Sequence, residues 1–232
     1  MDAIKVESLT KNFNGVIAGK TTTINILSTL LKPTSGRGEV AGYDIKKDRD
    51  LVRRSIGVVF QEPALDTKLT GRENLEFHAM MYGMGREKRR DRIDEVLVEN
   101  YSGGMKRRLE IARGLIHKPQ VLFLDEPTLG LDAQTRRHIW EYIKKLNKEG
   151  EVTIILTSHY MEEADFLCDR IGIIDNGKIV AMGSPEKLKN ILGGDVVTIE
   201  IDGDTNDLKR DLDTRDWIKT LTHVFWSRGF LE

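Results

Sequence analysis

The chain has 232 residues, 39% of them hydrophobic and 31% charged, with a formal net charge of −1. This composition supports a sizeable core in one large or two small domains, and it gives no overall electrostatic reason for nucleic-acid binding. No apolar run approaches the roughly 18 residues of a membrane span. The single Cys168 cannot form an internal disulfide, which is typical of a reducing compartment.

The first predicted element is a half-exposed strand, because Ile4–Glu7 alternates apolar and polar residues. The aromatic Phe13 follows it. Further on, Gly19–Thr22 (Gly-Lys-Thr-Thr) precedes a predicted helix over residues 24–31. Such a segment is typical of the second half of a phosphate-binding loop, in which backbone N–H groups and a lysine surround phosphate oxygens.

The first half of that loop is irregular. The full pattern needs glycine where the chain has Asn14, and the interval from Phe13 to Lys20 leaves no room for the strand that should precede the loop. Either the loop is naturally degenerate, or residues are missing from the sequence between about Val16 and Ala18. We favour the second interpretation, because the Gly-Lys-Thr segment and every later motif are intact.

The next predicted strand is the apolar run Ile56–Phe60, with Gln61 at its carboxyl end, where ligands gather in open α/β sheets. Taken alone, Gln61 is equally well a polar strand cap. Residues 74–97 have a helical pattern, and their mixed charge run at 86–92 favours a solvated helix face over a nucleic-acid site.

A second amphipathic helix opens with Ser102, Gly103 and Gly104 and ends before Pro119. Its predicted apolar face consists of Met105, Leu109, Ala112 and Ile116.

The run Val121–Leu124 predicts a strand buried on both faces, and two adjacent acids, Asp125 and Glu126, end it. One acid of such a pair suits cation binding and the other suits a general base. The alternative is a buried strand capped by two solvated acids.

The C-terminal half continues with a predicted helix over residues 133–148 and a buried strand over residues 153–157 that ends at Ser158 and His159. A histidine in that place is more often structural than functional. Asn176-Gly177 predicts a tight hairpin.

Beyond residue 183 the pattern predicts a short helix at 185–192, a strand at 196–201 and an aromatic end with Trp217, Phe225 and Trp226. Burial in a small core is the default interpretation of these aromatic residues.

The segment from Ser102 through Asp125 and Glu126 to Asp132 resembles the ATP-binding cassette (ABC) family, and Leu69–Leu75 strengthens the likeness to drug- and lipid-exporting members. The resemblance implies an α/β fold with a P-loop NTPase core, an antiparallel β subdomain, a helical signature subdomain and a small C-terminal α+β extension. The implied domains are a nucleotide-binding domain at residues 1–183, with its helical subdomain at about 68–118, and an accessory extension at residues 184–232.

The resemblance also implies ATP and Mg²⁺ as cofactors and assigns the site residues. Those implied to bind this subunit's nucleotide or its metal ion are Phe13 at the adenine, Gly19 and Lys20 at the β/γ-phosphates, Thr21 at Mg²⁺, Thr22 at the α-phosphate and Asp125 at Mg²⁺. Those implied to act in hydrolysis are Gln61 as metal ligand and γ-phosphate sensor, Glu126 as the residue that polarises water and His159 at the γ-phosphate. Those implied to serve across a head-to-tail homodimer are Ser102, Gly103, Gly104 and Asp132. Met105 departs from the glutamine that many members carry.

The function that this resemblance implies is an ATPase that powers a separate membrane permease, with export as the expected direction. We expect a peripheral protein at the cytoplasmic face of the membrane, with a transmembrane permease subunit as partner and no nucleic acid. Two alternatives remain: a cassette ATPase of repair or translation, and a non-catalytic nucleotide-binding regulator if the phosphate loop is truly incomplete.

The mass of the intact protein distinguishes the two interpretations of the phosphate loop. We expect a mass above that of 232 residues, because we expect missing residues near Val16–Ala18 and a second missing segment near residues 98–100, before Ser102. A mass that matches the 232-residue chain contradicts both omissions.

Overall fold

The structure is a computed structural model that describes residues 2–13, 19–98, 104–149, 152–191 and 215. Its elements in chain order are β1 (Ile4–Thr10), α1 (Lys20–Leu27), β2 (Ser35–Val40), β3 (Tyr43–Asp44), α2 (Arg49–Ser55), β4 (Ile56–Val59), α3 (Gly71–Met81), α4 (Arg86–Val98), α5 (Met105–Leu115), β5 (Val121–Asp125), α6 (Ala133–Lys148), β6 (Thr153–Thr157), α7 (Met161–Leu167), β7 (Ile171–Asp175), β8 (Lys178–Gly183) and α8 (Pro185–Ile191).

An antiparallel sheet of β1, β2 and β3, in that order, forms the N-terminal part. β2 and β3 are joined by Ala41 and Gly42, which both have positive φ (52° and 82°), as a tight hairpin turn requires. The half-exposed strand predicted at Ile4–Glu7 is confirmed, since β1 covers Ile4–Thr10 and most of its residues are exposed. The first helix, predicted over residues 24–31, instead covers Lys20–Leu27, and Thr29 in a left-handed conformation (φ 65°) follows it.

A parallel sheet with the order β4-β5-β6 lies within the first of the two units of the chain, Met1–Leu192. All five residues of β5 are buried, because alternate side chains of a strand point to opposite faces and both faces are covered. Phe123 packs in a cluster with Ile24 of α1, whereas Leu122 and Leu124 pack in a second cluster that includes Ile139 of α6.

Three helices, α3, α4 and α5, enclose a third apolar cluster. Its buried members are Leu75, Ala79, Ile93, Val96, Ala112 and Ile116. The helix predicted over residues 74–97 is therefore two helices, and Gly83, with φ 69°, lies in the break between them. Thr70 and Glu73 form a capping box that starts α3.

The apolar face predicted for α5, the signature helix that follows Ser102, Gly103 and Gly104, is partly wrong. Met105 is 64% exposed, although the 3–4 spacing placed it with Ala112 and Ile116, which are fully buried. Three charged residues, Arg107, Arg108 and Glu110, are buried instead. The helix begins at Met105, directly after Gly104, whose left-handed backbone (φ 78°) excludes it from the helix.

The later elements agree with their predictions. α6 and β6 have the expected bounds, and Asn176 and Gly177 have the positive φ values (46° and 72°) of a two-residue hairpin turn.

Two compact units divide the chain, Met1–Leu192 and Gly193–Glu232. The helix predicted at 185–192 is α8, whereas the predicted strand at 196–201 and the three terminal aromatic residues lie outside the described residues. The boundary at residue 183 stays a prediction. Within the part of the chain that the structure describes, no helix is long and apolar enough to cross a membrane.

A close approach of two glycines sets α5 against the sheet. A Cβ atom on Gly57 of β4 would overlap the carbonyl oxygen of Gly114 and lie 2.9 Å from Leu122 Cδ1. A Cβ atom on Gly114 would meet Val59 and Leu122, each at 3.2 Å. Small residues on both sides thus allow the helix backbone to lie directly on β4.

We expect Gly57→Ala to lower the free energy of unfolding by about 1–3 kcal/mol, because the added methyl group overpacks a backbone contact that cannot yield easily. Urea unfolding followed by tryptophan fluorescence measures this. The matched control is Gly85→Ala, where a Cβ atom meets nothing within 4 Å. Equal stability of the two variants would contradict the close approach.

Candidate nucleotide site

The site begins at the carboxyl edge of the parallel sheet. β5 and β6 pair with Asp125 opposite Thr157, so the residues that follow both strands emerge side by side. Asp125 is 1% exposed, and its Oδ1 accepts hydrogen bonds from Thr157 Oγ1 (2.5 Å) and Thr21 Oγ1 (3.2 Å). One carboxylate oxygen therefore joins the end of β6 to the first turn of α1.

Glu126 leaves the strand in a left-handed conformation, with φ 48°. Its N–H donates to the Thr157 carbonyl (3.1 Å) and to the Thr157 hydroxyl (3.2 Å). Its Oε2 accepts from His159 Nδ1 at 2.7 Å and from the His159 N–H at 3.3 Å. Because a carboxylate only accepts, the Nδ1 that faces it carries the hydrogen.

The phosphate-loop residues lie against the same edge. Lys20 Nζ donates to the Ser158 carbonyl. An open cavity of about 380 Å³ is lined by Gly19, Lys20, Thr21, Glu126, Ile174, Asn176 and Gly177. The structure thus gathers a lysine, a threonine hydroxyl, two carboxylates and an imidazole from three separate segments.

The oxygen donors of this site fit a magnesium ion. Thr21 and Asp125 present a hydroxyl and a carboxylate within 3.2 Å of each other. The described residues contain no cluster of three or more His, Cys, Asp or Glu side chains that could hold a metal by themselves. Mg²⁺ is commonly bound by one or two protein oxygens together with water and substrate phosphates, so this small donor set is compatible with it.

Three predicted nucleotide contacts, Gln61, Phe13 and Thr22, are not among the residues that line the cavity. Gln61 is exposed and lies two residues beyond β4. Phe13 is half-buried, and Lys11 Nζ lies 5.2 Å from the centre of its ring. Thr22 is half-buried in the first turn of α1, and its N–H donates to the Gly19 carbonyl at 3.2 Å.

The residues predicted to act across a dimer are described in part. Ser102 and Gly103 lie outside the described residues. Gly104 precedes α5, and a Cβ atom there would meet Thr135 Cγ2 at 2.6 Å. Asp132 caps α6, and hydrogen bonds from the side chain and backbone of Thr135 lower its pKa. A carboxylate that stays ionised stabilises a helix N-terminus.

The sequence interpretation missed three groups around the site. Thr157, which holds Asp125 and Glu126, could have been found, because it ends the strand next to β5. The buried pair Arg107 and Glu110 gave no signal in a helix rich in charged residues. The buried Glu163 also gave none, although it accepts from Thr128 Oγ1 at 2.6 Å.

Comparison with known proteins identifies the family to which this chain belongs. The fold and site define an α/β protein in which the helix of a phosphate-binding loop faces an acidic strand end. The family described as ABC transporter matches residues 14–129, which is half of the chain. The chain therefore belongs to the ABC transporter family.

A curated relative is the linearmycin resistance ATP-binding protein LnrL of Bacillus subtilis (strain 168), which is 47% identical over 192 residues, 78% of this chain and 61% of that protein. The chain thus spans about three fifths of that relative's length.

Two solved structures are also similar. One is cbiO1 from Clostridium perfringens, part of the ABC transporter complex cbiONQ, with a TM-score of 0.71 and 27% identity over 81% of this chain and 90% of that one. The other is a dimeric post-hydrolysis state of an ATP-binding cassette bound to ADP and Pi, with a TM-score of 0.67 and 28% identity over 78% of this chain and 98% of that one.

We expect Thr157→Val to lower the free energy of unfolding by about 1–3 kcal/mol, because the buried Asp125 carboxylate loses a hydroxyl donor that valine cannot replace. Chemical denaturation measures the change. Thr157→Ser keeps the hydroxyl and serves as the control, with a smaller loss. Thr157→Ser lacks only the methyl group, which Thr157→Val retains, so a loss in Thr157→Val no larger than that in Thr157→Ser would contradict the role of the hydroxyl.

Proposed function

We propose that this protein binds Mg²⁺-ATP and hydrolyses it. The observation that carries the proposal is the convergence of Thr21, Asp125, Glu126 and His159 at one sheet edge, with each neighbouring pair joined by a hydrogen bond or, for Asp125 and Glu126, by the chain itself. Lys20 lines the same cavity and supplies a positive charge. Phosphoryl transfer depends on such charge stabilisation and positioning far more than on covalent chemistry.

The two acids have different roles in this proposal. Asp125 is buried and receives the hydroxyls of Thr21 and Thr157, which suits a metal ligand, with Thr21 as the second protein ligand. A bound Mg²⁺ would neutralise charge on the β- and γ-phosphates. Glu126 lines the cavity and accepts from His159, so its carboxylate is oriented to polarise an attacking water.

His159 donates to Glu126 through Nδ1, and its Nε2 donates to the γ-phosphate when both ring nitrogens carry hydrogen. Lys20 and Gly19 bind the β- and γ-phosphates. The remaining nucleotide contacts that we propose are Phe13 at the adenine, Thr22 at the α-phosphate and Gln61 as the sensor of the γ-phosphate and its metal ion.

The active form is a head-to-tail homodimer. Ser102, Gly103 and Gly104 of one subunit complete the nucleotide site of the other, and Asp132 links the two sites. Two observations support this arrangement. Gly104 lies directly before α5, the signature helix, and a structurally similar cassette is dimeric with ADP and Pi bound.

The ATPase powers a separate transmembrane permease from the cytoplasmic face of the membrane, and the permease is an exporter. The support comes from the relatives, since LnrL is a linearmycin resistance ATP-binding protein and cbiO1 is part of a transporter complex. Co-purification with a permease supports this assignment, whereas co-purification with ribosomes would favour a translation factor.

We expect Glu126→Gln to retain ATP binding but to lower turnover by about 100-fold or more, because glutamine cannot polarise the attacking water. Release of phosphate from Mg²⁺-ATP by the purified gene product measures turnover, and a fluorescent nucleotide analogue measures binding. The control is Glu162→Gln, which changes an exposed acid.

Turnover of Glu126→Gln at the wild-type rate would contradict the general-base assignment. Binding without any Mg²⁺-dependent phosphate release by the wild-type protein would favour a non-catalytic regulator.

A further inference from the structure

A buried arginine on the signature helix contacts the backbone around the proposed catalytic acid. Arg107 is the third residue of α5 and is 8% exposed. Its Nε donates to the Pro127 carbonyl at 2.7 Å, and its Nη2 donates to the carbonyls of Asp125 (3.1 Å) and Glu126 (3.2 Å). One guanidinium group therefore satisfies three consecutive carbonyls at the end of β5.

The same side chain also reaches the segment after β4. Arg107 Nη1 donates to the Phe60 carbonyl at 2.7 Å and to Glu110 Oε2 at 2.9 Å. Phe60 directly precedes Gln61. Glu110, which is 2% exposed, uses its other oxygen to accept from the Ala64 N–H at 2.8 Å. The buried ion pair thus joins the loop of Gln61 to the loop of Glu126.

The geometry of the three carbonyls explains why an arginine is needed. Successive residues of an extended strand alternate in direction, so three consecutive carbonyls do not normally converge on one group. They converge here because the backbone turns at Glu126 into the left-handed region, with φ 48°. That region is unfavourable for a residue with a side chain and persists only when its surroundings hold it. The planar fork of arginine, with five N–H donors, matches this arrangement.

We propose that Arg107 is a positioning residue for Glu126, because it holds the left-handed backbone that directs the Glu126 carboxylate towards His159 and the cavity. This inference rests on the proposed ATPase function. Arg107 also fixes the position of Phe60, and therefore of Gln61, relative to Glu126. Since α5 begins directly after Gly104, a shift of this helix would move both Gln61 and Glu126 of the same subunit through the Arg107 side chain.

The first test separates positioning from nucleotide binding. Arg107→Gln is expected to lower kcat about 10-fold or more and to leave KM for ATP within about twofold, because Lys20 and Thr21 do not depend on this contact. Lys106→Gln removes a positive charge from the neighbouring, exposed position of α5 and is expected to keep wild-type turnover. Unchanged kcat in Arg107→Gln, in a wild-type protein that hydrolyses ATP, overturns the inference and leaves the proposed function intact.

Two further variants separate positioning from folding. Arg107→Gln leaves Glu110 as an unpaired buried charge, which is destabilising in itself. The double variant Arg107→Gln/Glu110→Gln removes both charges, and we expect it to regain most of the wild-type thermal midpoint while kcat stays about 5-fold or more below wild type. Arg107→Lys keeps the charge beside Glu110 but lacks the planar fork, and we expect it to be slow as well.

Four outcomes would contradict either the positioning role of Arg107 or the proposed function. Recovery of both stability and turnover in the double variant overturns the inference, because charge compensation would then be the only role of Arg107. Wild-type turnover of Arg107→Lys also overturns it. Failure of all three variants to fold overturns it too, since Arg107 would then be required for the fold. A wild-type protein without Mg²⁺-dependent hydrolysis contradicts the proposed function itself.

Discussion

The parallel pairing of β4, β5 and β6 is the constraint on which the site depends. Parallel strands end at the same edge of a sheet, so residues far apart in sequence emerge there together. Val59, Leu124 and Leu156 lie in register, and beyond them come Phe60, Asp125 and Thr157. The buried apolar side chains of β5 fix this register from both faces, because a shift by one residue would exchange the two cores that they fill.

Strand pairing alone does not direct the catalytic side chains. Asp125 is held as part of the ladder, but Glu126 lies one residue beyond it, where the chain has already turned. Contacts from outside the sheet therefore set its direction: Thr157 receives its N–H, His159 donates to its carboxylate, and Arg107 donates to its carbonyl. The three contacts act on different atoms of one residue, so none of them replaces another.

The elements that sequence predicted well are those that burial alone determines. Val121–Leu124 is apolar throughout because β5 is covered on both faces, and the acids after it are recognisable from that run. Helix α5 was predicted less well. A 3–4 spacing identified Ala112 and Ile116 correctly, but it assigned Met105 to the apolar face and gave no sign that charged residues of this helix are buried. Periodicity measures hydrophobicity, whereas the burial of Arg107 depends on carbonyl acceptors supplied by other segments.

The roles of the site residues could not be predicted from burial or periodicity, because only the resemblance to the ABC family implied them. Gln61 illustrates the limit. Its position at a strand end follows from the pattern, but its exposed side chain contributes nothing to the contacts among Thr21, Asp125 and Glu126. A residue that acts only when a nucleotide or a partner subunit is bound leaves no mark on the contacts of a single chain. The positions of such residues are predictable from sequence, and their function depends on the bound molecule.

Another buried acidic side chain, that of Glu163, also contacts the loop after β5. Glu163, on the helix that follows His159, is fully buried, and its Oε1 accepts from Thr128 Oγ1 (2.6 Å) and Trp140 Nε1 (2.8 Å). Thr128 lies two residues after Glu126, so this contact connects the helix behind His159 to the segment behind its partner acid. Arg107 and Glu163 thus both bond to the short loop after β5, Arg107 to its carbonyls and Glu163 to the Thr128 hydroxyl. A left-handed turn that two buried side chains hold by hydrogen bonds has little freedom to relax, and this rigidity keeps Glu126 and His159 in hydrogen-bonding distance.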